Sequence, residues 1–317
     1  MTGRLVSSAV LIPGFVLLCW LDHRSGPAAV PLFLGVLGVA LKATHELTRL
    51  FPPPAAPGHP DPESPPDYWA DPEAARPSLL AAAAGVALVL LAAWVPHWLL
   101  RTVPPALPPT NPVTGLGFVA AAMAAGCVLA TVRRVLRFDR PGGHAAGLAA
   151  ECLAVLYVGG LLAATAQLRW LDRGEAGYLA IGSLIAAAKC GDTGAYLTGR
   201  AFGRRKMIPA VSPGKTWAGA AGAVAWAAGG VCLWLWLAGP AFGRPAVIWP
   251  RAVAFGAVVG LAGLLGDLVE SVLKRDAGVK DAGSLLPGMG GVLDVLDSLL
   301  IAGPLAALLW FTWPPAV

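Results

Sequence analysis

Residues 266–298 read GDLVESVLKRDAGVKDAGSLLPGMGGVLDVLDS. The stretch is charged, yet it joins two strongly apolar segments. Asp267, Glu270, Ser271 and Lys274 recur at i, i+3, i+4 and i+7, the spacing that puts side chains on one face of a helix. Asp294, Asp297 and Ser298 repeat the i, i+3, i+4 pattern at the start of the last apolar segment, and Lys189, Asp192, Thr193 and Tyr196 form a comparable stripe upstream. Ionisable side chains inside membrane-length segments are costly and by default mark a site.

The rest of the chain sets that context. Of 317 residues, 56% are hydrophobic and 13% charged, and mean hydropathy is +0.67. Soluble domains carry about 25% charged residues, so the reading is an all-α, polytopic integral membrane protein. Apolar stretches near the ~20 residues needed to cross a bilayer fall at about 5–21, 27–43, 78–100, 114–134, 146–168, 177–198, 217–239, 250–273 and 292–313, which predicts about nine transmembrane helices. The first resembles a signal peptide but lacks a small-residue cleavage site, and a second apolar span follows at once, so it reads as a retained helix. Residues 51–77 are proline-rich and polar and read as an extended loop. The five cysteines lie singly in apolar runs, with no metal-binding spacing. The net charge of +5 is spread among loops and gives no case for nucleic acid.

Lysine and arginine set the predicted orientation. With the amino terminus and alternate loops on one side, that side holds 16 of them and the other 6, while Lys189 lies within a span. The bias places the amino terminus and the charged loops in the cytoplasm. Arg133, Arg134, Arg137 and Arg140 read as part of this signal and as contacts to anionic headgroups.

Carboxylates on neighbouring helices beside several cations suggest a divalent ion and a polyphosphate. The loop GRAFGRRKMIPAVSPGKTWAG, 199–219, adds cations, and the PGMGG turn, 287–291, offers backbone amides at a helix amino terminus. The alternative is that these charges simply pair to hold helices together. A P-loop reading of Gly214–Lys215–Thr216 fails, because Pro209 stands where its first glycine must be.

At these residues the sequence resembles the phosphatidate cytidylyltransferase, or CDP-diacylglycerol synthase, family. The likeness rests on Ser271, Lys274, Arg275, Lys280, Asp281, Pro287, Gly288, Gly290, Gly291, Asp294 and Asp297. It extends to GDTGAYLTGR, SPGKTWAG and HELTRL, and is strongest over 191–298. The resemblance implies one membrane-embedded cytidylyltransferase-like domain, 1–317, with 177–313 the most motif-rich part. It implies that CTP and phosphatidic acid, or a related lipid phosphate, give CDP-diacylglycerol and pyrophosphate, with Mg²⁺ and a second ion such as K⁺ as cofactors.

Carried over residue by residue, the metal ligands would be Asp267 and Asp294, and the catalytic set Asp267, Asp294, Lys274 and Lys280. Substrate binding would fall to Asp192, Tyr196, Arg200, Ser212, Lys215, Thr216, Ser271, Arg275, Asp281, Gly290, Gly291 and Asp297. The expected place is the cell inner membrane, multi-pass, with the active site on the cytoplasmic side among membrane lipids; a homodimer is compatible with this. Three positions depart from the family pattern: Met289 replaces a histidine, Val295 an arginine and Ala218 a glutamate. They leave open an enzyme with a rearranged phosphate pocket, one with another lipid phosphate or nucleotide, and a non-catalytic paralogue. A lipid transporter is a further alternative, but the charges cluster on one side in the last third.

Overall fold

The computed structural model describes residues 2–26, 28–51, 75–99, 112–139, 143–174 and 176–317. The proline-rich loop expected at 51–77 lies almost wholly outside them, as does Arg140. The described chain is a helical bundle with one small hairpin. Helices α1 (Thr2–Ser25), α2 (Val30–Arg49), α3 (Leu79–Leu99) and α4 (Pro112–Leu136) come first. A continuous run follows: α5 (His144–Leu153), a π-helical segment (Ala154–Gly160), α6 (Leu161–Ala166) and a 3-10 segment (Gln167–Gly174). Then come α7 (Gly177–Phe202), strands β1 (Lys206–Ile208) and β2 (Ser212–Thr216), and α8 (Trp217–Ala238). A short 3-10 turn, α9 (Trp249–Asp276) and α10 (Leu293–Thr312) complete the order.

Within the described residues the nine apolar stretches fall largely on helices, but the count of nine spans is not reproduced by length and composition. Among the described residues seven helical segments are long and apolar enough to cross a membrane. Those seven omit α1 and α7, and α7 carries Lys189, Asp192 and Arg200. The protein is a polytopic, all-α membrane protein on these seven alone.

Two apolar cores share α10. One joins α2, α3, α4 and the π-helical segment to Leu293 and Leu300. The other joins α7, α8 and α9 to Ala302, Ala306 and Trp310. Small residues let the second group approach closely: a side chain on Gly256 would meet the Ala228 backbone, and one on Gly266 the Asp297 carbonyl.

Buried ions are paired, as low dielectric requires. Asp22 accepts hydrogen bonds from Arg169 Nε at 2.7 Å and Tyr178 Oη at 2.8 Å, which ties α1 to the 3-10 segment and to the start of α7. Glu151, fully buried, takes Arg134 Nη2 at 2.7 Å. This corrects the expected headgroup role of Arg134: an apolar core cannot hold Glu151 alone, and Arg134 is drawn inward to match it.

Candidate active site

The loop between α7 and α8 builds one wall. β1 and β2 pair antiparallel, Lys206 opposite Thr216 and Ile208 opposite Ser212, with an irregular register between. Three residues of β1 lie opposite five of β2, an irregularity of the bulge kind that re-aims side chains beside sites. Lys215 leaves that bulge to meet Asp267 Oδ2 of α9 at 2.9 Å. Thr216 ends the hairpin and caps α8, its Oγ1 accepting from Gly219 N at 3.1 Å. Arg275, at the end of α9, holds the hairpin turn by donating to Val211 O at 3.3 Å.

A cavity of about 520 Å³ opens between α7, the hairpin, α8 and α9. Asp192, Tyr196, Arg200, Lys206, Lys215, Thr216 and Asp267 supply its polar lining. Several glycines and alanines of α7, α8 and α9 leave it room. Lys189 pairs with Asp192 at 3.1 Å, and Arg200 donates to Tyr196 Oη at 3.1 Å.

Behind Asp267 the same face of α9 turns inward. Lys274 Nζ donates to Glu270 Oε2 at 2.6 Å and to Asp294 Oδ1 at 2.7 Å. The other Asp294 oxygen accepts from Ala282 N at 2.9 Å and Gly291 N at 2.7 Å. Gly290 sits at φ +91°, where a Cβ would also press on that carboxylate. Asp294 therefore folds the 277–292 loop onto the start of α10. The turn amides expected to take a phosphate are engaged internally: Met289 N and Gly290 N donate to Leu286 O, and Gly291 N to Asp294.

Glu46 of α2 completes this corner. It is 1% exposed, and its Oε2 accepts from Leu293 N at 2.8 Å. Residues 46 and 293 lie too far apart in the chain for spacing to reveal the pair, although Glu46 belongs to the HELTRL stretch. Of the remaining predicted residues, Ser271 donates weakly to Asp267 Oδ1 at 3.4 Å, and Ser212 opens β2. Lys280 and Asp281 are exposed on the loop. Val295 and Met289 are half-buried, and Ala218 accepts through its carbonyl from Thr198 Oγ1 at 3.3 Å.

The stripes of α9 and α10 do converge. Asp267, Glu270 and Asp297 each place a carboxylate oxygen within 4.8 Å of the others, and Lys189 and Asp192 of α7 lie within electrostatic reach of Asp297. Glu270 is fully buried, and its Oε1 has no hydrogen-bond partner. Three close carboxylates with an unmatched buried oxygen fit a hard divalent cation. Asp294 is outside this trio. The cations of the hairpin and α7 beside it can balance phosphate charge.

Comparison with known proteins places the chain among relatives. A curated phosphatidate cytidylyltransferase of Haemophilus influenzae is 41% identical over 124 residues, which is 38% of this chain and 41% of that protein. The phosphatidate cytidylyltransferase of Pseudomonas aeruginosa is 45% identical over 120 residues, 38% of this chain and 43% of its own. The Escherichia coli protein YnbB, described as uncharacterized, is 40% identical over 130 residues, 41% of this chain and 42% of its own. Each of these matches spans less than half of the relative's length. The match to the Cytidylyltransferase family runs over residues 2–313, nearly the whole sequence, and the chain belongs to that family.

Proposed function

We propose that the protein transfers a cytidylyl group from CTP to phosphatidic acid or a closely related lipid phosphate, releasing pyrophosphate. The observation that carries this is the meeting, at Asp267, of a cation-lined cavity and a three-carboxylate cluster. The named activity of the relatives supports the substrate pair.

In the proposed reaction an oxygen of the lipid phosphate bonds to the α-phosphorus of CTP, and the bond from that phosphorus to the bridging oxygen of the β-phosphate breaks. The electron pair leaves with pyrophosphate, so no protein nucleophile is needed. Arg200, Lys206 and Lys215 line the cavity where triphosphate charge would sit. Positioning and charge balance supply most of such a barrier reduction. Asp267, Glu270 and Asp297 would hold a Mg²⁺ ion, which supplies neutralisation of the phosphate oxygens when bound. Lys274, already shared between Glu270 and Asp294, fixes the geometry of α9 against α10. Asp294 serves by organising the loop; to ligate a metal it would first give up Lys274 or the Ala282 and Gly291 amides. A second ion such as K⁺ would draw on other oxygens, because the trio is the one group of three close His, Cys, Asp or Glu side chains among the described residues.

The lysine and arginine bias supports a cytoplasmic face for the hairpin and the 277–292 loop in the inner membrane, where CTP is available. Protein purified in detergent and given CTP, Mg²⁺ and phosphatidic acid should release pyrophosphate, and chelating Mg²⁺ should stop it. Equal release in EDTA contradicts the metal assignment. No release from any lipid phosphate contradicts the transferase reading and favours the non-catalytic paralogue that Met289 and Val295 raise. In that case Met289→His combined with Val295→Arg should bring activity up from none.

A further inference from the structure

The segment Ala154–Gly160 is π-helical, the single stretch of that kind among the described residues, and it interrupts a membrane-length apolar run. Wide turns of this kind cost hydrogen-bond geometry and recur at functional sites. The segment contains Tyr157, which is 8% exposed and packs in the first apolar core. Its hydroxyl is buried with no hydrogen-bond partner. Buried hydroxyls in folded proteins are overwhelmingly satisfied, because an unmet one costs about 1–3 kcal/mol. A phenylalanine would fill the same space without that cost.

The surroundings show what the hydroxyl is for. Glu270 and Asp297 are the carboxylates within electrostatic reach of Tyr157. Both belong to the three-carboxylate cluster, and Glu270 carries its own unmatched buried oxygen. Tyr157 Oη and Glu270 Oε1 are thus unsatisfied buried atoms of side chains within electrostatic reach of each other, and Tyr157 shares its apolar core with Leu273 and Leu296, neighbours of Glu270 and Asp297 along α9 and α10. Gly159 and Gly160 let the segment pack closely on α3 and α4, since a side chain on Gly159 would press on Val86 and one on Gly160 on Met123. Mg²⁺ bound by proteins keeps several of its waters, and groups that hold such outer ligands tune metal affinity.

We propose that Tyr157 is a positioning residue for the carboxylate cluster, its hydroxyl bonding to a water in the coordination shell of a divalent cation held by Asp267, Glu270 and Asp297. This rests on the metal reading given above. Its consequence is that the π-helical turn joins Glu46 as a contribution from the first half of the chain, outside the 191–298 stretch where the family likeness is strongest.

The test is Mn²⁺ binding to the full-length protein in detergent, followed by electron paramagnetic resonance, with thermal unfolding measured in EDTA. Tyr157→Phe should bind Mn²⁺ about 10-fold more weakly, the scale of outer-ligand effects. Its unfolding in EDTA should be unchanged or later, because the substitution removes an unsatisfied hydroxyl. Equal Mn²⁺ affinity in the wild-type protein and Tyr157→Phe overturns the proposal and leaves the metal reading standing. If the wild-type protein itself binds no Mn²⁺, both fall together.

Discussion

The cavity beside the hairpin and the corner behind it share one face of α9 but treat charge in opposite ways. In the cavity, cations outnumber their partners: Arg200, Lys206 and Lys215 face an Asp267 side chain that is 39% exposed. In the corner, Lys274 is shared between Glu270 and Asp294 with little exposure, and one Glu270 oxygen is left over for the carboxylate trio. Matched buried charge fixes helices and loops, whereas unmatched charge near solvent is available to a polyanionic ligand. Asp267 belongs to both, through Lys215 on one side and the carboxylate trio on the other.

The contrast predicts that substitutions in the corner cost folding and those in the cavity cost turnover. Lys274→Met should have the largest effect, about 3–5 kcal/mol of stability, because it leaves Glu270 and Asp294 buried without a counter-charge. An unchanged unfolding midpoint in detergent would break the distinction at its strongest point. Lys215→Ala should slow pyrophosphate release about 10²-fold, as the loss of one electrostatic donor does in other sites, while unfolding stays near that of the wild type. Lost stability with full rate would move Lys215 into the structural group.

Gly290→Ala should cost on the order of 1–3 kcal/mol, since alanine at positive φ is strained and its Cβ meets the Asp294 carboxylate. A neutral result would show that the turn can relax without disturbing Asp294. Asp192→Asn should be nearly silent in stability, below about 0.5 kcal/mol, because its pair with Lys189 is half exposed. A large thermal effect there would mean that α7 is held by this pair, in place of its packing on α8.

The helices were legible in the sequence because a bilayer-length apolar run has few other readings. The polar stripes were legible because helix spacing alone puts Asp267, Glu270 and Lys274 on one face. Their exact pairing was not: Lys274 chooses Glu270 and Asp294 only once α10 lies against α9. The hairpin was not legible, because KMI and SPGKT are too short to show an alternating pattern. The π-helical turn is hidden in AVLYVGG, an apolar run that a regular helix would carry equally well. Glu46 and Tyr157 reach the site from distant segments, and no local spacing reports such contacts. α7 shows the converse, a long helix whose site residues lower the hydropathy by which a span is recognised.

Asp267→Asn gives the most direct test, because it removes charge at the single residue common to cavity and cluster. The measurement is pyrophosphate release by the purified protein at saturating CTP, Mg²⁺ and phosphatidic acid, with thermal unfolding of the same samples. The predicted result is a rate lower by about 10³-fold with an unfolding midpoint close to wild type. Full turnover by the Asp267→Asn protein would contradict the account.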